Sequence, residues 1–223
     1  MFIGHFAPAL AVRALSDKTP SLGTLFVAAQ LVDIAFFVFV LGGIEHLRIE
    51  PGATAMNALD LYHYPYTHSL LGSLVWALGF GAATGLLLRN AVAGIWAALV
   101  VASHWILDLV SHRPDLTLAG DGSRFGLGLW NLPVAAIAVE LTIIALGFWW
   151  YLRRTTGPVV PALVLAGVMA SFQAFNWFGP EPAAADASFI GTGLAAFAVV
   201  IVFAYWTDST RVRKNQGGQA VRG

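Results

Sequence analysis

Ala91-Val-Ala-Gly-Ile-Trp-Ala-Ala-Leu-Val-Val-Ala-Ser-His104-Trp-Ile-Leu-Asp108-Leu-Val-Ser111 decides what kind of molecule this is. Its length suits a helix crossing a hydrocarbon core, which takes about 20 residues. The first half, Ala91 to Val101, reads as lipid-facing helix, and the second half turns polar. Residues four apart on a helix share a face. His104, Asp108 and the following His112 therefore form a ladder about 80° wide. An Asp and a His at the end of an apolar span are costly to bury unless a metal ion or hydrogen-bonding partners compensate them. Pro114 disfavours helical geometry at Arg113, which places Asp115 in a loop.

The composition around this stretch agrees. Of 223 residues, 58% are hydrophobic and 11% charged, against about a quarter charged in soluble domains; mean hydropathy is +0.73. The chain reads as an integral membrane protein. Its formal net charge of zero gives no argument for nucleic acid. Without cysteine, disulfides and thiolate metal sites are excluded, so any metal rests on His and carboxylates. The N-terminus lacks the basic start of a cleavable signal peptide and is expected to remain in the mature protein.

Six apolar segments are expected to span, at about 21–43, 66–88, 91–111, 131–152, 158–178 and 187–207, with a shorter segment at 2–15 that enters part of the bilayer. The expected fold is all-α: a polytopic transmembrane bundle of six long spans plus a short N-terminal membrane helix. Residues 1–208 form one domain, and 209–223 a basic tail read as disordered and cytoplasmic. With that tail inside, Arg13, Lys18, Arg89, Arg153, Arg154, Arg211, Arg213, Lys214 and Arg222 fall inside, against Arg48, Arg113 and Arg124 outside. This is a positive-inside distribution for a bacterial-type inner membrane. Glu45, Glu50, Asp60, Asp115, Asp121, Glu181 and Asp186 fall outside. All six histidines (His5, His46, His63, His68, His104, His112) then gather in the outer half, as a shared site requires.

Candidate chemistry follows from residue type and depth. An imidazole and a carboxylate on adjacent turns, as in His104 and Asp108, suit Zn²⁺, Mn²⁺ or Fe²⁺. His112, at the helix exit, and Asp115 read either as site residues or as solvated groups. In His63-Tyr-Pro-Tyr-Thr-His68-Ser69, Pro65 and Thr67 suit a helix start, placing His68 in the first turn level with Asp108. His63 reads as a second ligand, a proton-transfer group or plain surface. Asp33 lies within the apolar run Phe26–Val40, where an Asp costs about 2.5–3.5 kcal/mol on insertion scales. It is therefore expected to face the bundle interior, as a functional or helix-bridging group. Glu140 is comparably deep, with Gln173 and Asn176 one span later.

Gly4-His5, Asp33, Thr67-His68-Ser69-Leu70-Leu71 and Ser103-His104 with Asp108 together resemble the predicted membrane-bound, metal-dependent hydrolases called YdjM-like. That family is similar in motif order to zinc-dependent phospholipase C. The resemblance covers about the first 130 residues. It implies that His5, Asp33, His68, His104 and Asp108 are metal ligands. Two positions depart from it. The family commonly has Pro-Asp-x-Asp-His at its first Asp, where this chain has Val32-Asp33-Ile34-Ala35-Phe36, and Tyr64-Pro65-Tyr66 stands where a basic residue is usual.

Three functions compete on this reading. In the first, a metallohydrolase holds a divalent ion, zinc by preference, near the outer leaflet and attacks a membrane lipid or phosphate ester. His63, His112 or Asp115 would act as acid or base, with Trp105 and Trp130 at the lipid interface. In the second, Asp33, Glu140 and the histidines form an ion or proton path through a transporter. The third is a structural protein whose polar groups bind helices together. Nothing in the sequence sets an oligomeric state.

Overall fold

The computed structural model describes residues 1–120 and 122–214. A 3-10 turn, Ile3–Phe6, leads into the short helix α1 (Ala7–Leu15). The long helices follow: α2 (Leu22–Leu41), α3 (Leu70–Leu87), α4 (Ala91–Ser111), α5 (Pro133–Arg154), α6 (Val160–Phe178) and α7 (Ala187–Ser209). These six are long and apolar enough to cross a membrane, which fits a multi-pass membrane protein. Their outward faces carry exposed Leu78, Leu86, Leu87, Leu163 and Val202, a surface that water would not tolerate over so large an area.

Local chemistry sets most helix starts. Ser21, Ser69, Asn90 and Asp186 each accept a backbone N–H of the first turn through their side chains. Proline occupies the first turn of α1, α5 and α6, where its missing N–H costs nothing. The Ser69 cap corrects one expectation: α3 begins at Leu70, so His68 lies in the turn before the helix rather than in its first turn. Ser69 also donates to the Pro65 carbonyl, 2.6 Å away, which holds that turn off the helix.

The 2–15 segment, expected to enter part of the bilayer, is packed inside the bundle. Phe6, Ala9, Leu10 and Ala14 are fully buried, and α1 packs against α5 and α2 in the middle of the bundle. α3 and α4 approach closely through glycine. A Cβ on Gly81 would stand 2.8 Å from the Gly94 carbonyl, and one on Gly94 would stand 3.0 Å from Gly85 Cα. Small residues of this kind let membrane helices meet backbone to backbone.

The connections contain short antiparallel strands that apolar-span counting does not reveal. At one end of the bundle, here the site end, β1 (His46–Ile49) pairs with β2 (Leu59–His63), and β3 (Leu116–Thr117) with β4 (Arg124–Phe125). At the opposite end β5 (Thr155–Thr156) pairs with β6 (Val212–Arg213). The segment expected to be disordered from 209 is thus ordered at its start, and Arg211 is buried, bonded to Thr155, Gly157 and Pro158. Asp121, and the rest of the tail with Arg222, lie outside the described residues.

Candidate metal centre

Four separate segments deliver side chains to one point at the site end. α4 contributes His104 and Asp108 on its inward face, and its C-cap is His112. α2 contributes Asp33, and the 64–69 turn contributes His68. The N-terminal 3-10 turn contributes His5, whose ring stacks on His104 with centroids 3.8 Å apart. His104 Nε2 lies 3.0 Å from Asp108 Oδ2 and 3.5 Å from Asp33 Oδ1. His68 Nε2 lies 3.2 Å from Asp33 Oδ1 and 3.8 Å from Asp108 Oδ2. His5 Nε2 sits 3.0 Å from the other oxygen of Asp108, and His112 Nε2 3.6 Å from that same oxygen. All five ligands implied by the resemblance therefore converge, with His112 at the edge of the group.

Hydrogen bonds on the far side of each ring fix where the protons are. The Ala29 carbonyl, 2.8 Å from His104 Nδ1, can only accept, so Nδ1 carries the hydrogen. Thr67 donates its hydroxyl to Glu45 Oε2 at 2.6 Å, and its oxygen then accepts from His68 Nδ1 at 2.8 Å. Asp115 Oδ1 accepts from His112 Nδ1 at 3.0 Å and from the Tyr64 hydroxyl at 2.8 Å. In their neutral forms all three imidazoles therefore present a bare Nε2 to the carboxylates. His104 Nε2 and Asp108 Oδ2 are buried and have no hydrogen-bond partner despite their 3.0 Å separation. At that distance the two atoms need a shared proton or a bound cation between them.

These buried His and Asp groups could hold a metal ion. The ligand atoms of Asp33, His68 and His104 lie within 4.8 Å of one another, as do those of His5, His104 and Asp108. Four ligands in tetrahedral array about 2.1 Å from an ion stand about 3.4 Å apart, close to the separations here. The Ala29 carbonyl, the Thr67 hydroxyl and the Asp115 carboxylate supply the outer hydrogen bonds that metal-binding histidines normally have.

Several positions correct the sequence reading or extend it. His112 and Asp115 are buried rather than solvated, and Trp130 covers the His112 ring with centroids 4.4 Å apart. Burial and the adjacent Asp115 carboxylate push the Tyr64 phenol far above its ordinary range, so it stays a donor. His63 is not brought into the cluster: it faces His46 across the β1–β2 ribbon, ring centroids 5.6 Å apart, because both lie on one face of that ribbon. Trp105 is buried and points inward, so it is not at a lipid interface.

Glu140 accepts the backbone N–H groups of Phe2 and Gly4 at 2.6 and 3.0 Å, and Gln173 accepts that of Ile3 at 3.2 Å. Both hold the turn that carries His5. Glu45, fully buried, accepts from Tyr66 N, Thr67 N and the Thr67 hydroxyl and so braces His68. Sequence reasoning misses Glu45 because it sits in a connection with no periodicity; its one signal is a carboxylate directly after an apolar span.

The side chain of Asp33 is 21% exposed, whereas those of His5, His68, His104, Asp108 and His112 are at most 3% exposed. Access to the cluster is therefore from the Asp33 side, where a cavity of about 1050 Å³ opens. Compared with known proteins, the chain matches no family model, no curated protein and no solved structure.

Proposed function

We propose that this protein is a membrane metallohydrolase. Asp33, His68, His104 and Asp108 would hold a divalent cation, with His5 on the second oxygen of Asp108. The single observation that carries this reading is the gathering of imidazole nitrogens and carboxylate oxygens from separate segments, within 4.8 Å of one another in each of two overlapping groups. Nitrogen and carboxylate donors suit Zn²⁺, Mn²⁺ or Fe²⁺, of which zinc is the ion we propose. When bound, such an ion supplies Lewis acidity, lowering the pKa of water and polarising a phosphoryl or acyl oxygen.

The residues beside the cluster supply proton transfer. His112 is oriented by Asp115, which is itself fixed by Tyr64, so its Nε2 points at the site as a general base. For a phosphate ester, a bond forms from water oxygen to phosphorus while the bond to the alcohol oxygen breaks. His112 Nε2 takes the water proton and returns it to the leaving oxygen. The substrate class is a lipid or phosphate ester reaching the cluster past Asp33. The excess of Lys and Arg at the opposite end supports an orientation with the site end outside a cytoplasmic membrane and the C-terminus inside.

Purified protein analysed for metal and assayed against phosphate esters and phospholipids tests this directly. Wild type should carry stoichiometric zinc and hydrolyse at least one ester class. His104→Ala should lose the metal, and His112→Asn should keep it while losing about 10²–10⁴-fold in rate. Zinc bound without turnover on any ester would leave an ion carrier as the better description. Metal content unchanged in His104→Ala would end both readings.

A further inference from the structure

The cavity beside Asp33 has a shape that the cluster alone does not require. It is walled by Phe36 and Phe37 of α2, by Phe172 and Phe175 of α6 and by α7 from Ser188 to Val199. The cluster's Asp33, His68, Asp108 and His112 line it too, together with Glu140, Glu181 and Asp186, and the rest of the lining is mainly apolar. The α7 wall alternates the small residues Gly193, Ala195 and Ala196 with the larger Phe189, Phe197 and Val199. A Cβ at Gly193 would run into the Phe37 ring.

The groove follows α7 for eleven steps, from Ser188 to Val199, or about 16 Å at 1.5 Å per residue. Half of a hydrocarbon core about 30 Å thick is ~15 Å. α7 runs from Ala187 to Ser209, so the groove starts at the polar end of the span and stops near its middle. Its depth is that of one leaflet. Its volume also lies at the top of the roughly 300–1,000 Å³ range of ligand pockets.

We infer that this groove is the binding site for the hydrocarbon chain of a phospholipid whose phosphorylated head group sits at the Asp33 mouth. The inference rests on the metallohydrolase reading for the head group, whereas the chain site rests on the groove alone. A water-soluble phosphate ester would leave the apolar walls wet, and a lipid chain lying in them removes that surface from water.

The test uses phosphatidylcholine vesicles containing the full chain and a trace of phosphatidic acid with a diazirine on its acyl chain. Photolabelled positions are mapped by mass spectrometry. Labelling should concentrate on peptides from α6 and α7 that line the groove. Ala196→Trp and, as a second filling variant, Ala195→Phe should reduce it at least tenfold, with bound metal retained as the sign of a folded protein. Leu163→Trp, on the exposed face of α6, should leave it unchanged. Labelling spread evenly over the lipid-facing helices, or undiminished in both filling variants, would overturn the chain site. Groove labelling that persists in a protein with no hydrolytic activity would uphold the chain site and remove the hydrolase reading. Hydrolysis of short-chain esters without groove labelling would do the reverse.

Discussion

His68 is held by a relay that reaches two groups back. Glu45 accepts from the Thr67 hydroxyl, the Thr67 oxygen accepts from Nδ1, and Nε2 faces Asp33 Oδ1 at 3.2 Å. Breaking such an outer hydrogen bond typically costs 10–100-fold in metal affinity. Thr67→Val should therefore weaken zinc binding by about that factor in a competition titration, while Thr67→Ser should restore it. Equal affinity in Thr67→Val and wild type would mean that the tautomer is set in some other way.

At this scale the sequence is legible where periodicity carries information. The i, i+4 spacing places His104 and Asp108 on one face. His5 comes only from a motif resemblance, because a histidine near a terminus has no spacing to read. Glu45 and Tyr64 act across turns whose closure depends on tertiary contacts, and no local pattern marks them. His63 shows the opposite failure: its residue type is right, but the ribbon pairing turns it toward His46.

Among the elements, α4 is positioned by its contact with α3. Gly81 and Gly94 face each other so closely that either gaining a side chain must part the helices. Gly94→Leu should lower stability by about 1–3 kcal/mol, as overpacking does, and should displace His104 and Asp108 from Asp33. Thermal unfolding in detergent together with metal content checks both parts. A variant that unfolds earlier yet binds zinc normally would show that α4 keeps its place without this contact. The spacing Gly81-x-x-x-Gly85 was available in the sequence as a packing signal. All six spans are legible because about 20 apolar residues leave few alternatives in a membrane. The connecting ribbons are not, since two to five residues of strand are shorter than any pattern that could announce them.

Across the whole molecule, the two ends of the bundle do different work. The site end gathers the histidines, while the opposite end is a clasp: Arg13 bonds Asp208 through both its oxygens, Tyr151 joins the same carboxylate, and Arg211 ties the 155–158 turn. Arg211→Ala strands buried acceptors and should cost about 1–3 kcal/mol of stability. It should leave zinc content unchanged, since the clasp touches none of the ligands. Orientation is testable because the chain has no cysteine. A single Ser123→Cys, exposed in the loop beside the site, should react with a membrane-impermeant maleimide from outside intact cells. Protection until lysis would reverse the proposed sidedness.

The turn that carries His5 has a consequence for the order in which the protein is made. Asp33, His68, His104 and Asp108 have all been synthesised by residue 108. The backbone of residues 2–4 is held by Glu140 and Gln173, which emerge much later. His5 is thus among the last of the ligands to be locked in place. A nascent chain carries four ligands well before it carries a closed centre, and completion of the site reports completion of the fold.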